Sequence, residues 1–354
     1  MFLGRLSDLA ARLFAGPWLQ RKSRGGVQAR RGPVTHVVVL DGTMSTLEEG
    51  TESNVGLIYK LLAEHSGHDL SLYYEAGIQW TSWSRTHEVL MGRGLNRQIR
   101  RAYGYLASRY RPGDRIFFFG YSRGAYAVRS LAGLIDRVGL LKAEAATERN
   151  VRQAYRLYQD IPDAEAARRF ATAHSHPETR VEMIGAFDTV KSLGLRLPLL
   201  SQITDAQHAF HNHALSDCVR AGFHALALEE TRQVYAPVMW ESTEGWQGRL
   251  EQVWFPGSHG DVGGFLGGDL AARGLSNIPL VWMLTQAEVR GLPLPQGWRD
   301  RFPRDPEAPS IGMWQGWSKL FLLRARREVG RDPSERLHES AVTRGLHVTL
   351  PVYG

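Results

Sequence analysis

A small hydroxyl framed by two glycines is the first place where this chain could do chemistry. The segment Gly120-Tyr121-Ser122-Arg123-Gly124 fits the spacing G-x-S-x-G. The pattern recurs by chance, but here it follows the apolar run "IFFF" and opens the helix-like pattern "GAYAVRSLAGLI". That is the context of a nucleophile elbow, a tight turn from strand to helix. The turn forces the serine into strained backbone, and a Cβ at either flanking position would collide with the strand or the helix. The helix behind it presents free N–H groups and a positive dipole end. A serine that only capped a helix would explain Ser122 but not both glycines.

A serine nucleophile needs a base, and the base needs an orienter. With an elbow the chain order is Ser, then Asp or Glu, then His. Asp188 closes the apolar run "VEMIGAFD", where an acid is costly unless it has a partner. His259 follows "LEQVWF" in the Gly-rich loop "PGSHGDVGG". The expected catalytic set is therefore Ser122, Asp188 and His259. Asp261 is a weak candidate for orienting His259 or holding a cation, and a loop-bracing role is preferred for it.

The chain has 13 histidines, so rivals must be weighed. His208, His211, His213 and His224 read as helical. "HAFHNH" lacks the carboxylate or cysteine pattern that would complete a metal site, so no metal and no cofactor are expected. The single cysteine, Cys218, reads as a packing residue on a helix face and allows no intrachain disulfide.

"LDGT", Leu40 to Thr43, places an acid after a strand. Haloacid-dehalogenase phosphatases start this way but need a second Asp where Thr43 stands. The better reading is an oxyanion loop, in which the Gly42 and Thr43 backbone joins the Arg123 N–H to hold a developing negative oxygen. Asp41 would brace that loop by accepting backbone N–H bonds.

These residues need a scaffold that presents them together. "VTHVVVL", "LSLYYEAG", "RIFFFG", "RVEMIGAFD" and, as the last clear one, "RLEQVWFPG" read as strands. Helices are expected from Val55 to His65, from Gly94 with Ile99, Tyr103 and Leu106 on one face, and from Gly124 to Val138. The alternation predicts an α/β fold with a mostly parallel central sheet flanked by helices. In such sheets the working residues lie beyond the carboxyl ends of the strands.

At 354 residues, 43% hydrophobic and 22% charged, the chain has the composition of a globular protein. Its formal net charge of +7 suits an anionic partner such as a membrane surface. No nucleic-acid motif accompanies that charge, so no nucleic-acid partner is expected. Residues 1–33 read as a basic amphipathic segment and linker, with Phe2, Leu3, Leu6, Leu9, Leu13 and Phe14 at helical spacing; 34–354 reads as the catalytic domain. Arg5, Asp8 and Arg12 break any signal-peptide core, and no window spans a membrane. The expected localisation is cytoplasmic synthesis without a cleavable signal.

In order, "VVLDGT…NV", "GYSRGAYAVRSLAGLI", "GAFDTVKSLG", "HALALEETRQVYAPVMW", "VWFPGSHGDVGG" and "ERLHESAVTR" resemble the motifs of the DUF2235 family. This family is α/β-hydrolase-like and includes the Tle1-like catalytic domains of type VI secretion phospholipase effectors. The resemblance runs from Val34 to Arg344. It implies the same three catalytic residues and a lipid acyl-ester substrate, with an acyl-enzyme, at a peripheral membrane surface. It also implies export by a dedicated secretion system, with a secretion-system or immunity partner. Larger members carry a membrane-associating region, for which this chain offers only its N-terminal segment and Trp298, Trp314 and Trp317 as substitutes. The alternatives are an esterase for small non-lipid acyl substrates and a non-catalytic lipid- or protein-binding scaffold.

Overall fold

The structure, a computed structural model, describes residues 31–65, 67–77, 93–159, 164–190, 214–313 and 323–353. The chain divides into Met1–Gly32, of which Arg31 and Gly32 are described, and Pro33–Gly354. The expected N-terminal amphipathic helix, His208, His211, His213, Trp314 and Trp317 lie outside the described residues.

The strands are β1 (Thr35–Leu40), β2 (Leu70–Glu75), β3 (Arg115–Tyr121), β4 (Met183–Phe187), β5 (Ala221–Ala227), β6 (Arg249–Phe255), β7 (Glu335–His338) and β8 (Val352–Tyr353). They form one sheet in the order β2-β1-β3-β4-β5-β6-β7-β8, and every pairing is parallel. The chain leaves β1 towards β2, then returns to place β3 on the other side of β1. That reversal makes the β1/β3 boundary a topological switch point, where crevices open at strand ends.

Both faces are covered, which is why the central strands read as unbroken apolar runs. Ile116 and Phe118 enter one core cluster, Phe117 and Phe119 the other, and all four are fully buried. Each such side chain contributes about 1.5–3 kcal/mol. The first cluster is closed by α2 (Arg93–Ala107), α3 (Arg123–Val138), α4 (Glu148–Gln159) and α5 (Ala164–His174), with Ile99, Tyr103 and Leu106 facing inward as their spacing predicts. The second is closed mainly by α1 (Asn54–Ala63) and α7 (Arg273–Val289). Two short helices, α6 (His259–Gly263) and α8 (Glu339–Thr343), follow β6 and β7.

Three expectations need correction. The segment holding Cys218 and His224 is not helical: Cys218 lies in a turn, and His224 is fully buried on β5. The Ala- and Gly-rich run "AGFHALA" lacks the β-branched signal of a strand, and it becomes one because β4 and β6 flank it. β6 is not the last strand, since β7 and β8 extend the sheet. Trp298 is 2% exposed and its indole N–H donates to Glu288 Oε1 at 2.9 Å, so it is a core residue and not a membrane contact.

Candidate active site

Among the described residues, the non-glycine positions with positive φ are Met44 (65°), Ser122 (57°) and Asp188 (42°). They follow β1, β3 and β4, so backbone strain gathers at neighbouring strand ends. Each such position costs on the order of 1–3 kcal/mol and persists only where the surroundings enforce it. At Ser122 they do. A Cβ on Gly120 would stand 2.6 Å from Ala125 N and Cα, and one on Gly124 would overlap the Leu40 carbonyl oxygen. Ser122 makes no side-chain capping bond to α3, which removes the capping explanation for it.

Sheet register sets the lateral spacing. Tyr121 is level with Phe187, and the Ser122 N–H donates to the Phe187 carbonyl at 2.9 Å. Asp188, next along β4, extends the ladder by donating its N–H to Ala225 O at 2.8 Å. Ser122 and Asp188 thus leave adjacent strands side by side. His259 arrives from β6 on the first turn of α6, whose capping box pairs Ser258 with Asp261. Its Nε2 is 3.0 Å from Ser122 Oγ and its Nδ1 2.6 Å from Asp188 Oδ2. The structure therefore brings Ser122, His259 and Asp188 into one hydrogen-bonded row.

The imidazole is held on every side. The Tyr235 ring stacks on it at 4.5 Å and 9°, and Tyr121 lies at 4.9 Å. Tyr121 also donates its hydroxyl to the His259 carbonyl, and the His259 N–H donates to Glu230 Oε2 at 3.1 Å. Arg232 pairs with Glu230 and covers the Tyr235 ring at 4.4 Å. Burial works to raise the Glu230 carboxyl, but the Arg232 hydrogen bonds and charge hold it below its usual range.

Asp188 is fully buried, which by itself would raise its pKa. Arg327 outweighs burial and, with the His259 bond, keeps the carboxyl far below the usual carboxylate range. Arg327 grips both oxygens, Nη1 on Oδ1 and Nη2 on Oδ2, and donates onward to the carbonyls of Ala227 (2.8 Å) and Tyr235 (2.6 Å). The Ala227 N–H adds a bond to Oδ1 at 3.0 Å.

The loop after β1 lies beside the serine turn. The fully enclosed Asp41 carboxylate accepts the Gly42 N–H (2.6 Å), the Ser53 hydroxyl (2.8 Å) and the Tyr74 hydroxyl (2.8 Å). Among the described residues no cation faces it, so burial wins and its pKa is raised. The Gly42 N–H is therefore engaged within the loop. The Thr43 and Arg123 N–H groups have no hydrogen-bond partner among the described residues, and Thr43 Oγ1 is buried without one. Asp261 accepts from Ser258 N–H (2.7 Å), Ser258 Oγ (2.8 Å), Ser310 Oγ (2.5 Å) and Ile311 N–H (2.9 Å). The two Ser258 donors brace its own loop, and the Ser310 and Ile311 donors tie that loop to the 310–311 segment. Among the described residues there is no cluster of three metal-ligating side chains.

Sequence reasoning missed Arg327, Glu230 and Tyr235 as parts of the site. The last two fall inside the motif "HALALEETRQVYAPVMW"; Arg327 sits in "RARREVG", where nothing marks one arginine among three.

Several known proteins are similar to this chain. A Saccharomyces cerevisiae protein described as uncharacterized is 28% identical over 222 residues, 55% of this chain and 31% of that protein. An uncharacterized Pseudomonas aeruginosa crystal structure shares 15% identity at a TM-score of 0.44, covering 81% of this chain and 51% of that one. A structure of the Tle1 effector bound to the VgrG spike of the type 6 secretion system shares 17% identity at a TM-score of 0.28, covering 70% and 56%. The chain thus spans about a third of the yeast relative and about half of the two solved chains. Residues 35–286 match the family described as the catalytic domain of the type VI secretion Tle1-like phospholipase effector, and with most of its length inside that match the chain belongs to this family.

Proposed function

We propose that residues 34–354 form a serine hydrolase domain that cleaves acyl esters of phospholipids through Ser122, His259 and Asp188. The observation that carries this reading is the unbroken row from Ser122 Oγ through both His259 nitrogens to Asp188, at 3.0 and 2.6 Å. His259 Nε2 takes the Ser122 proton as Oγ attacks the ester carbonyl. Asp188 holds the Nδ1 proton in place and stabilises the imidazolium. The Thr43 and Arg123 N–H groups receive the oxyanion. His259 then returns the proton to the departing lysophospholipid oxygen, leaving an acyl-Ser122. A water deprotonated by His259 attacks that ester, and collapse releases the fatty acid and restores Ser122.

Family membership supports the lipid substrate. The geometry of the row suits any acyl ester, including the small soluble substrates of an ordinary esterase. Phospholipid vesicles assayed beside p-nitrophenyl butyrate separate the two: a lipase gains rate at an interface and a soluble esterase does not. Ser122→Ala is expected to abolish turnover and labelling by a fluorophosphonate probe. Unchanged turnover in that variant would remove the assignment, and absence of an adduct in the wild type would favour a binding scaffold. Among the described residues no helix is long and apolar enough to cross a membrane. Delivery by a type VI secretion spike is part of the same proposal, tested by co-purification of the full chain with a spike protein.

A further inference from the structure

Burying a guanidinium is costly unless its N–H groups and charge are met. Four of the enclosed or partly enclosed arginines have hydrogen-bond acceptors on their guanidinium, although Arg327 Nε is buried without one. Arg129 donates to the Val238 and Met239 carbonyls and lies over the Trp240 ring. Arg232 is forked onto Glu230, and Arg327 onto Asp188. Arg273 donates to Asn54 Oδ1 and to the Glu52 and Gly264 carbonyls. Arg123 has no such acceptor among the described residues. It is 7% exposed, its Nη1 is buried without a hydrogen-bond partner, and among the described residues no carboxylate pairs with it.

Its position is equally specific. It is the first residue of the 16-residue helix α3, directly after Ser122, and its own N–H has no partner among the described residues. The ionisable side chain whose charge acts on it is Tyr235, whose ring stacks on His259. The unmet cation therefore belongs to the same enclosure as the nucleophile and base, which are about as buried, at 7% and 6% exposure.

We propose that the Arg123 guanidinium and the N-terminus of α3 form an anion subsite within the active site, whose occupant is the phosphate of the lipid substrate. The proposal rests on the phospholipase reading and assigns that substrate's recognition to one residue. The planar fork of a guanidinium matches two oxygens of a phosphate, and the helix dipole adds to the attraction. In a glycerophospholipid the phosphate lies a few bonds from the acyl ester. Arg123 can span that separation, with its N–H on the ester oxygen and its side chain on the phosphate. An enclosed subsite also explains the pKa, which burial lowers to about 10: the bare cation is held out of water until an anion joins it.

The test compares wild type, Arg123→Met and Arg123→Lys of the full chain. The substrates are phosphatidylglycerol and diacylglycerol in the same mixed micelles, with p-nitrophenyl butyrate as a third. Loss of a charged hydrogen-bond pair is expected to lower kcat/KM for phosphatidylglycerol about 10- to 100-fold more than for diacylglycerol in Arg123→Met. Arg123→Lys should recover part of that ratio. Inorganic phosphate should inhibit butyrate hydrolysis competitively in wild type and lose its effect in Arg123→Met. Equal losses on both lipids, without phosphate inhibition of wild type, would overturn the subsite. Phosphate inhibition with equal losses would keep an anion site but overturn lipid phosphate as its occupant. If wild type hydrolyses butyrate but neither lipid, the phospholipase reading fails on its own, and phosphate inhibition alone decides the anion site.

Discussion

Asp188 and Arg123 are charged groups at opposite ends of the Ser122–His259–Asp188 row, and their surroundings differ. Asp188 is met by His259, by both arms of Arg327 and by the Ala227 N–H. Around Ser122 the pattern is reversed: Arg123 Nη1, Thr43 Oγ1 and two backbone N–H groups stand without partners among the described residues. The acid carries its charge throughout the proposed cycle, so its partners are built in. The nucleophile end meets charge that arrives with substrate or develops on the ester oxygen. Donors left open there bind the transition state better than the resting enzyme.

The largest effect should come from breaking the satisfied end at its centre. Asp188→Asn presents an amide where His259 needs an acceptor, and it faces Arg327 with a neutral group. A loss of about 10⁴-fold in kcat is expected, by analogy with serine hydrolases in general. Kinetics alongside a near-ultraviolet dichroism spectrum like that of wild type would check it; a kcat within tenfold of wild type would remove Asp188 from the row.

Arg327→Met tests whether the buried pair holds the site together. Removing one partner strands the Asp188 carboxylate at 0% exposure, and about 3–5 kcal/mol of stability should be lost in urea unfolding at pH 7. The folded-state pKa of Asp188 is depressed, so its contribution is present above the unfolded carboxylate value and lost as pH falls through the folded one. The variant should therefore lose less stability on acidification than wild type. Parallel stability–pH curves would show that the pair does not govern acid sensitivity.

Asp41→Asn sharpens the contrast with the smallest change. Both Asp41 and Asp188 are buried carboxyls at strand ends, but among the described residues neutral donors alone meet Asp41, and its pKa is raised. The sign is then opposite. Its contribution is complete below the unfolded value and fades as pH rises through the folded one. At pH 7 the variant should lie within about 1 kcal/mol of wild type. It should also lack the decline in stability that Asp41 causes between acid and neutral pH. An unaltered slope across that range would count against the account of Asp41.

Much of this was legible in one dimension. Val37 to Val39 and Ile116 to Phe119 are β-branched or aromatic runs whose local preference and burial agree, so these strands could be read directly. Ser122, Asp188 and His259 could be picked out because each stands at, or a few residues beyond, the end of an apolar run read as a strand. β5 could not, because "AGFHALA" has no strand signal until β4 and β6 close on it. Arg327 could not either. Its contact with Asp188 joins residues 139 positions apart, and no local pattern carries information over that distance.

What the sequence by itself determined was the chemistry on offer and the layer it sits on. Gly120 and Gly124 leave room for a tight strand-to-helix turn around Ser122, and the strand–helix alternation places acid and base at the same edge of a parallel sheet. Only the tertiary structure decided how the charges there are met. It pairs Asp188 with Arg327, seals Asp41 among neutral donors and leaves Arg123 open. Backbone preference is a property of neighbours along the chain, whereas the energy of a buried charge depends on whatever the fold brings within a few ångströms of it.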